Sequence, residues 1–394
     1  MRRLCSLLGM PQNRFASIHV VGTNGKTSVT RMTAALLEAH GTSTGAYLSP
    51  HIISWRERIL IGGQRIPEEA FAEALERAEQ SAEVADRSAA DEGPVTQFEL
   101  LTAAAFVAFA EARVQYAVVE AGLGGRLDAT NVIPSKLTVL TSVGYDHMEW
   151  LGETLEEIAG EKVAVLRHHT TLLLGEVPEQ VRPVIEGEVA ARHAQIVPTP
   201  SPEPPPLGYQ VRNFVLATAA AREALGAVDD RVVEEVRGRF QAGDLSVPGR
   251  LQWVSGDPPM IFDAAHNDEG ARALAEALPA FGGAHIVCCI AILAEKDARG
   301  MLGALARACE TFVCTEIPAE AIEGSGRPSG ESWPASELAE LVREAGRDAE
   351  AIADPVTAWE RARELAAERD GVALAAGSHY LLTSIWTERP AQSS

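Results

Sequence analysis

Lysine is nearly absent from this chain of 394 residues: of 34 basic side chains, only Lys26, Lys136, Lys162 and Lys296 are lysines. Where any cation would serve the chain uses arginine, so the surviving amines are candidates for positions that need an amine specifically. Positive charge is scarce altogether. A formal net charge of −21 excludes non-specific binding to nucleic acid or to an anionic membrane surface. It also requires that an anionic substrate be held by local positive groups. No apolar run approaches eighteen residues and no secretory pattern opens the chain, so a cytoplasmic protein without a membrane anchor is expected. The five cysteines include no C-x-x-C pair, and Cys288 and Cys289 sit in an apolar, strand-like run. Buried thiols are therefore expected rather than metal ligands or disulfides. Internal repeats are absent too, which excludes a solenoid. The length suits two or three domains, each with its own core.

What is present is organised around Ile18-His-Val-Val-Gly-Thr-Asn-Gly-Lys-Thr-Ser-Val29. A β-branched run leads into glycines, a lysine, two hydroxyls and a helical pattern, which is the order of a phosphate-binding loop. Gly22, Thr23, Asn24 and Gly25 let backbone N–H groups approach phosphate oxygens, and the helix N-terminus adds positive potential. Lys26 supplies a point charge for the β- and γ-phosphates, and Thr27 or Ser28 a hydroxyl for Mg²⁺. The spacing is shorter than G-x-x-x-x-G-K-[ST], because Val20 stands where that pattern has glycine.

Downstream, helical spacing from Val29 ends at Gly41, and Thr44 opens a short strand running into Ser49-Pro50-His51. Arg56 to Pro67 reads as a loop or short hairpin, and Pro67 opens a helix to about Arg87. Thr96-x-x-Glu99 is a capping box for a helix to about Ala112. Tyr116–Glu120 is a buried strand ending in a carboxylate; past the C-terminal end of a parallel strand, that carboxylate lies in the ligand crevice. A glycine-rich loop carrying Arg126, Asp128 and Asn131 follows. The strand Leu137–Val143 leads to His147, which with Glu120 on an adjacent strand end is a candidate metal ligand. Thr154-x-x-Glu157 caps a helix containing Lys162, and Thr170–Leu174 returns to the sheet. This alternation predicts a doubly wound, mainly parallel α/β sheet. Pro198 to Pro206 reads as a stiff polyproline-like spacer, and a helix from about Arg212 to Leu225 follows. A boundary at 247/248 separates residues 1–247 from a smaller, Rossmann-like α/β domain at 248–394. Its strands are expected near 260–263, 285–292, 311–315 and 371–376, with helices after Asp268 and near 335–346 and 355–368.

Taken in order, Gly22–Lys26, Leu48–His51, Glu57–Ile59, Glu120–Asn131, Gly144–His147, Glu161-Lys162, Asp263–Asn267 and Glu295–Asp297 resemble the folylpolyglutamate synthase/dihydrofolate synthase family of the Mur-ligase superfamily. The resemblance spans nearly the whole chain, and Glu120-Ala-Gly-Leu-Gly-Gly-Arg-Leu-Asp-Ala-Thr-Asn131 is its most specific part. It implies an ATP-dependent ligase: ATP phosphorylates a folate or pteroate carboxylate, and the amino group of L-glutamate attacks the acyl phosphate. It further implies that Ser49, Glu120 and His147 hold one of two Mg²⁺ ions, and that Lys162 is carbamylated into a metal ligand. Arg250, Asp263 and Asn267 would meet nucleotide across an interdomain cleft, with Gln210 and Asn213 close by and His266 near the glutamate. Partners are then small molecules only (ATP, L-glutamate, dihydropteroate or reduced folate), and a monomer is expected.

Some residues depart from the family pattern. Thr27 replaces a glycine after Lys26, as in the cell-wall Mur ligases. Leu48 replaces a threonine, and Tyr209 stands where histidine is common. With 21 residues before Gly22, the family's longer leading helix is curtailed and Met1 reads as an internal start. A cell-wall Mur ligase would need a further domain of about a hundred residues ahead of the loop. The alternative is a Mur-ligase-like amide ligase for a different carboxylate or amino acid. A non-catalytic ATP-binding regulator is disfavoured by Lys26, Glu120, His147, Lys162 and His266 occurring together.

Overall fold

A computed structural model describes residues 1–88, 93–199, 208–245, 247–281, 285–323 and 330–386. The chain forms two units, Met1–Pro202 with Arg212–Arg239, and Glu203–Val211 with Phe240–Ser394. It thus passes into the second unit at 239/240, ahead of the boundary expected at 247/248. The second unit also takes the first residues of the helix Tyr209–Leu225.

The first unit is built on an eight-stranded sheet. Its strands are β1 (Ala16–Val21), β2 (Thr44–Tyr47), β3 (Ile59–Ile61), β4 (Gln64–Arg65), β5 (Tyr116–Glu120), β6 (Leu137–Leu140), β7 (Thr171–Leu174) and β8 (Gln195–Pro198). They lie in the order β4-β3-β2-β5-β1-β6-β7-β8. The six from β2 to β8 in that order are parallel, and the β3–β4 hairpin is added antiparallel at one edge. Central strands are buried on both faces and read as continuous apolar runs; Val20, Val21, Val118 and Val119 are fully buried. Helices Glu68–Ser88 and Gln97–Glu111 cover one part of the sheet with Ala74, Ala78, Phe106 and Phe109. Helices Leu155–Val163 and Arg182–Ala191 close another with Ile158, Val163 and Ile185. The capping boxes expected at Thr96 and Thr154 both form.

The second unit carries a six-stranded sheet of β9 (Gln252–Val254), β10 (Met260–Phe262), β11 (Ile286–Ile290), β12 (Thr311–Cys314), β13 (Asp348–Ala351) and β14 (Val372–Ala376). The order is β13-β12-β11-β14-β10-β9, parallel except for β9. Helices Asp268–Ala277, Ala298–Leu305 and Ala335–Glu344 share its core with Cys288, Cys309, Phe312 and Cys314. All five cysteines are free and buried, and burial pushes the Cys5 thiol up to about 11. Among the described residues no helix is long and apolar enough to cross a membrane. Pro198, expected to open a spacer, closes β8 instead; residues 200–206 of that stretch lie outside the described residues.

Candidate active site

After β1 the chain turns to one side of the sheet (to β2), and after β5 to the other (to β6). The loops diverging there leave a crevice at the strand C-terminal ends, where ligands of open α/β sheets bind. The Gly22–Gly25 loop follows β1 and is anchored to the residues after β6. Thr23 N–H donates to the Ser142 carbonyl at 3.0 Å, and Asn24 N–H to Ser142 Oγ at 2.9 Å. The Thr141 hydroxyl donates to the Asn24 carbonyl at 2.6 Å. Gly22 has φ +151°, and a Cβ there would stand 2.0 Å from Thr141 Oγ1. At Gly25, φ is +85° and a Cβ would stand 2.6 Å from Asn213 Oδ1. The positive φ strains any side chain at Gly25, and Asn213 stands beside the loop there.

Two of the four lysines converge here. Lys26 Nζ donates to the carbonyls of Gly22 and Thr23, both at 3.0 Å. Lys162, 3% exposed, reaches the same Gly22 carbonyl at 3.0 Å from the helix Leu155–Val163. Its position in space is therefore the loop itself, although 140 residues separate the partners.

The metal candidates divide. Glu120, 1% exposed at the end of β5, accepts the Thr27 hydroxyl on Oε1 and the Ser49 N–H on Oε2, each at 2.9 Å. The Thr27 hydroxyl lies 3.3 Å from the Ser49 carbonyl as well. Ser28 faces away: its hydroxyl is buried without a hydrogen-bond partner. His147 caps the short helix Met148–Leu151 at φ +49°, with Nε2 3.8 Å from Asp146 and Nδ1 4.0 Å from Glu149. Its loop is tied to the phosphate loop by Gly144, whose N–H donates to Thr23 Oγ1 at 3.0 Å and whose carbonyl accepts from it at 3.2 Å. Among the described residues no three His, Cys, Asp or Glu side chains gather as a metal centre. The donors around Glu120 are a carboxylate and hydroxyls, hard oxygen ligands of the kind Mg²⁺ takes alongside phosphate oxygens.

The second unit gathers the remaining candidates after β10. Asp263, 3% exposed, accepts Ala265 N–H on Oδ1 at 2.8 Å and Leu251 N–H on Oδ2 at 2.6 Å, and the Tyr209 hydroxyl donates to Oδ2 as well. Burial pushes the Asp263 carboxyl up, against the pull of the Tyr209 hydrogen bond and the Arg250 charge. Gln210 Nε2 donates to the Arg250 carbonyl at 3.1 Å. His266 Nδ1 lies 2.9 Å from the Ala264 carbonyl. Asn267 caps the helix Asp268–Ala277, its Oδ1 accepting Gly270 N–H at 2.8 Å.

The structure gives roles that the sequence pattern does not assign to three supports of the site. Asp128, buried, accepts Leu123 N–H and Thr130 N–H at 2.9 Å each and so shapes the glycine-rich loop after β5. Arg58 Nε donates to His51 Nδ1 at 3.0 Å while its guanidinium stacks on Trp55; desolvation, then the Arg58 charge, bring the His51 imidazole down to about 4. The third is apolar: Leu123, Leu127 and Tyr145 stand exposed on the loops following β5 and β6, and Met148 and Trp150 on the short helix after them, Leu127 at 91% and Trp150 at 73%. Their signal was visible as apolar residues placed in loops, where exposed apolar groups mark binding surfaces.

The Mur ligase middle domain matches residues 20–174, and the Mur ligase glutamate ligase domain residues 249–379. The chain is 36% identical over 354 residues to the dihydrofolate synthase/folylpolyglutamate synthase of Mycobacterium tuberculosis, covering 79% of this chain and 72% of the relative. The crystal structure of folylpolyglutamate synthase from the same organism, complexed with ADP and AMPPCP, superposes with TM-score 0.86 at 31% identity, over 97% of this chain and 93% of that one. A bifunctional folylpolyglutamate synthase/dihydrofolate synthase with Mn, AMPPNP and L-glutamate bound matches with TM-score 0.79 at 27% identity, over 97% and 92%. The loop, the strand-end carboxylate and the two-domain match agree, and the chain belongs to the folylpolyglutamate synthase/dihydrofolate synthase family of Mur ligases.

Proposed function

We propose that this protein is an ATP-dependent ligase that joins L-glutamate to a folate or pteroate carboxylate through an acyl phosphate, releasing ADP and phosphate. The observation that carries this reading is the convergence of Lys26, Lys162, Thr27 and Glu120 on the glycine loop at the sheet's switch point. The acceptor carboxylate attacks the γ-phosphorus and the bond to the β-phosphate oxygen breaks, giving the acyl phosphate and ADP. The glutamate amine then attacks the acyl carbon, the C–O bond to phosphate breaks, and the amine loses a proton. Phosphoryl transfer of this kind needs positioning and charge neutralisation. Lys26 supplies a cation to the phosphates in a chain of net charge −21; with the Thr23 and Asn24 N–H groups donating to Ser142, the backbone donors assigned to phosphate are those at Gly25 and at the helix start. Thr27, Ser49, Glu120 and His147 would hold Mg²⁺, which would offset the charge that develops during phosphoryl transfer. Of the two hydroxyls, Thr27 is favoured by its contact with Glu120. Arg250, Asp263, Asn267, Gln210 and Asn213 are assigned to nucleotide, and His266 to the region of glutamate and acyl phosphate. The apolar side chains from Leu123 to Trp150 suit the planar ring system of a pteridine acceptor.

Two finer points belong to the same proposal. Lys162 would carry a carbamate in the active enzyme, formed from its amine and CO₂ with loss of a proton, and its negative charge would help to hold a second Mg²⁺. The same proposal takes the protein to be cytoplasmic, where ATP, glutamate and folates are available, and to act as a monomer. The test is ADP release with ATP, Mg²⁺ and L-glutamate, with dihydropteroate or tetrahydrofolate as acceptor. Release dependent on both glutamate and acceptor supports the reading. Release that ignores the acceptor, or that follows a different amino acid, replaces it with the wider Mur-ligase alternative.

A further inference from the structure

The helix Tyr209–Leu225 begins with a phenol that bonds to a carboxylate 54 residues away. Asp263 is buried, and the donors named to it come from three separate segments: Tyr209 from the helix start, Leu251 from the turn after Gly249-Arg250, and Ala265 from the loop after β10. The turn is a demanding one. Leu251 has φ +52°, a left-handed conformation that costs a non-glycine residue free energy and persists only when neighbours hold it. The same turn is tied to the loop by Ala264 N–H, which donates to the Gly249 carbonyl at 2.8 Å. Arg250 rides on the turn, and His266 and Asn267 ride on the loop.

We propose that Tyr209 is a positioning residue for nucleotide binding: its hydroxyl fixes Asp263, and Asp263 fixes the Arg250–Leu251 turn against the loop that carries His266 and Asn267. This inference rests on the proposed function, in which those residues meet ATP. The phenol supplies a directed donor to an oxygen that also accepts Leu251 N–H, so the carboxylate holds both backbone groups in one geometry. With phenylalanine at 209 the ring still packs on the core, but a buried carboxylate loses a hydrogen-bond donor. The charged form of Asp263 is then less favoured, and the strained turn loses part of its support. Among the described residues, Tyr209 and Arg250 are the titratable and charged groups that act most on Asp263.

The experiment measures the Kd of Mg·AMPPNP by calorimetry from pH 5 to 8 for the full chain and for Tyr209→Phe, Asp263→Asn and the double variant. Tyr209→Phe is expected to weaken binding about 10-fold at neutral pH, the scale of one hydrogen bond to a charged group. Losing a donor to the ionised carboxyl raises its pKa, so the acid-side weakening should begin at higher pH than in the parent. In the Asp263→Asn background, Tyr209→Phe should add little, because contacting residues that act as a unit are non-additive. Unchanged affinity with an unmoved acid limb in Tyr209→Phe, or full additivity in the double variant, overturns the inference. If Asp263→Asn itself leaves nucleotide affinity unaltered, the assignment of this loop to ATP fails instead. Should Tyr209→Phe not fold, 3-fluorotyrosine placed at 209 alone is a stronger donor of nearly the same shape. It should move the acid limb to lower pH; an unmoved limb there counts against the inference.

Discussion

The Thr27 hydroxyl donates to Glu120 Oε1 at 2.9 Å, joining the first turn after the phosphate loop to the end of the neighbouring strand. β1 and β5 are paired in register from Ala16↔Tyr116 to Val20↔Glu120, so the carboxylate is delivered beside the loop by the sheet itself. Glu120→Gln keeps the shape and removes the charge. Turnover should fall at least ~10²-fold, on the scale of losing one preorganised electrostatic partner, and the loss should be greatest at limiting Mg²⁺. Steady-state rates across a Mg²⁺ titration check this; turnover close to that of the parent at limiting Mg²⁺ rules out Glu120 as the metal carboxylate.

The two hydroxyls after Lys26 should behave oppositely. Thr27→Val is isosteric, and removing its hydroxyl from Glu120 should cost about 10²-fold in turnover. Ser28→Ala deletes a buried hydroxyl with no partner, and such groups are costly to keep. Its turnover should stay within about threefold and its Tm should hold or rise. A Ser28→Ala enzyme as impaired as Thr27→Val would return the metal to Ser28.

Much of this site was legible because it is local. A glycine loop, a capping box and a strand ending in Glu120 each occupy a few adjacent residues, and the structure places them as the pattern implied. What stayed hidden depends on pairing across the fold. β13 is an edge strand of sequence Asp-Ala-Glu-Ala, exposed or half-buried throughout, and edge strands carry charge that masks the apolar pattern. β8 ends on Pro198, which an outer strand tolerates and a central one does not. The support of Asp263 by Tyr209 links positions 54 apart, and nothing in the spacing announces it. The choice between Thr27 and Ser28 needed the helix phase, since adjacent helical residues point about 100° apart.

Lys162 gives a prediction that separates a carbamate from an ordinary structural lysine. Lys162→Ala should lose most activity and recover part of it with a small added carboxylic acid that fills the vacated space. Stripping CO₂ and bicarbonate should slow the parent enzyme and leave Lys162→Ala unaffected. A crystal structure of the active Mg·ATP complex with plain ammonium at Lys162 would end the carbamate assignment.

His19 lies in β1 under the loop, fully buried, with Nε2 2.8 Å from Thr130 Oγ1. Desolvation, with a smaller push from Arg167, brings its imidazole down to about 3 from an ordinary 6.5. The unfolded chain takes up a proton here as pH falls through ~6.5, whereas the folded protein resists until about 3. Stability contributed by the neutral imidazole is therefore complete above ~6.5 and is lost as pH falls, by at most about 1.4 kcal/mol per pH unit. Between pH 7 and 5, urea unfolding should show a shallower pH slope for His19→Gln than for the parent. Superimposable slopes would mean that His19 takes up its proton at the same pH in the folded and unfolded states.

The central claim is that an acyl phosphate links ATP cleavage to amide formation. Dihydropteroate, or tetrahydrofolate, carrying ¹⁸O in its acceptor carboxylate is incubated with enzyme, Mg·ATP and L-glutamate, and both products are weighed by mass spectrometry. The account predicts a glutamyl amide of the acceptor together with one ¹⁸O in the released phosphate, because the carboxylate oxygen that attacks phosphorus leaves with it. Amide formed with unlabelled phosphate, or ADP and phosphate formed with no glutamyl product, would contradict it.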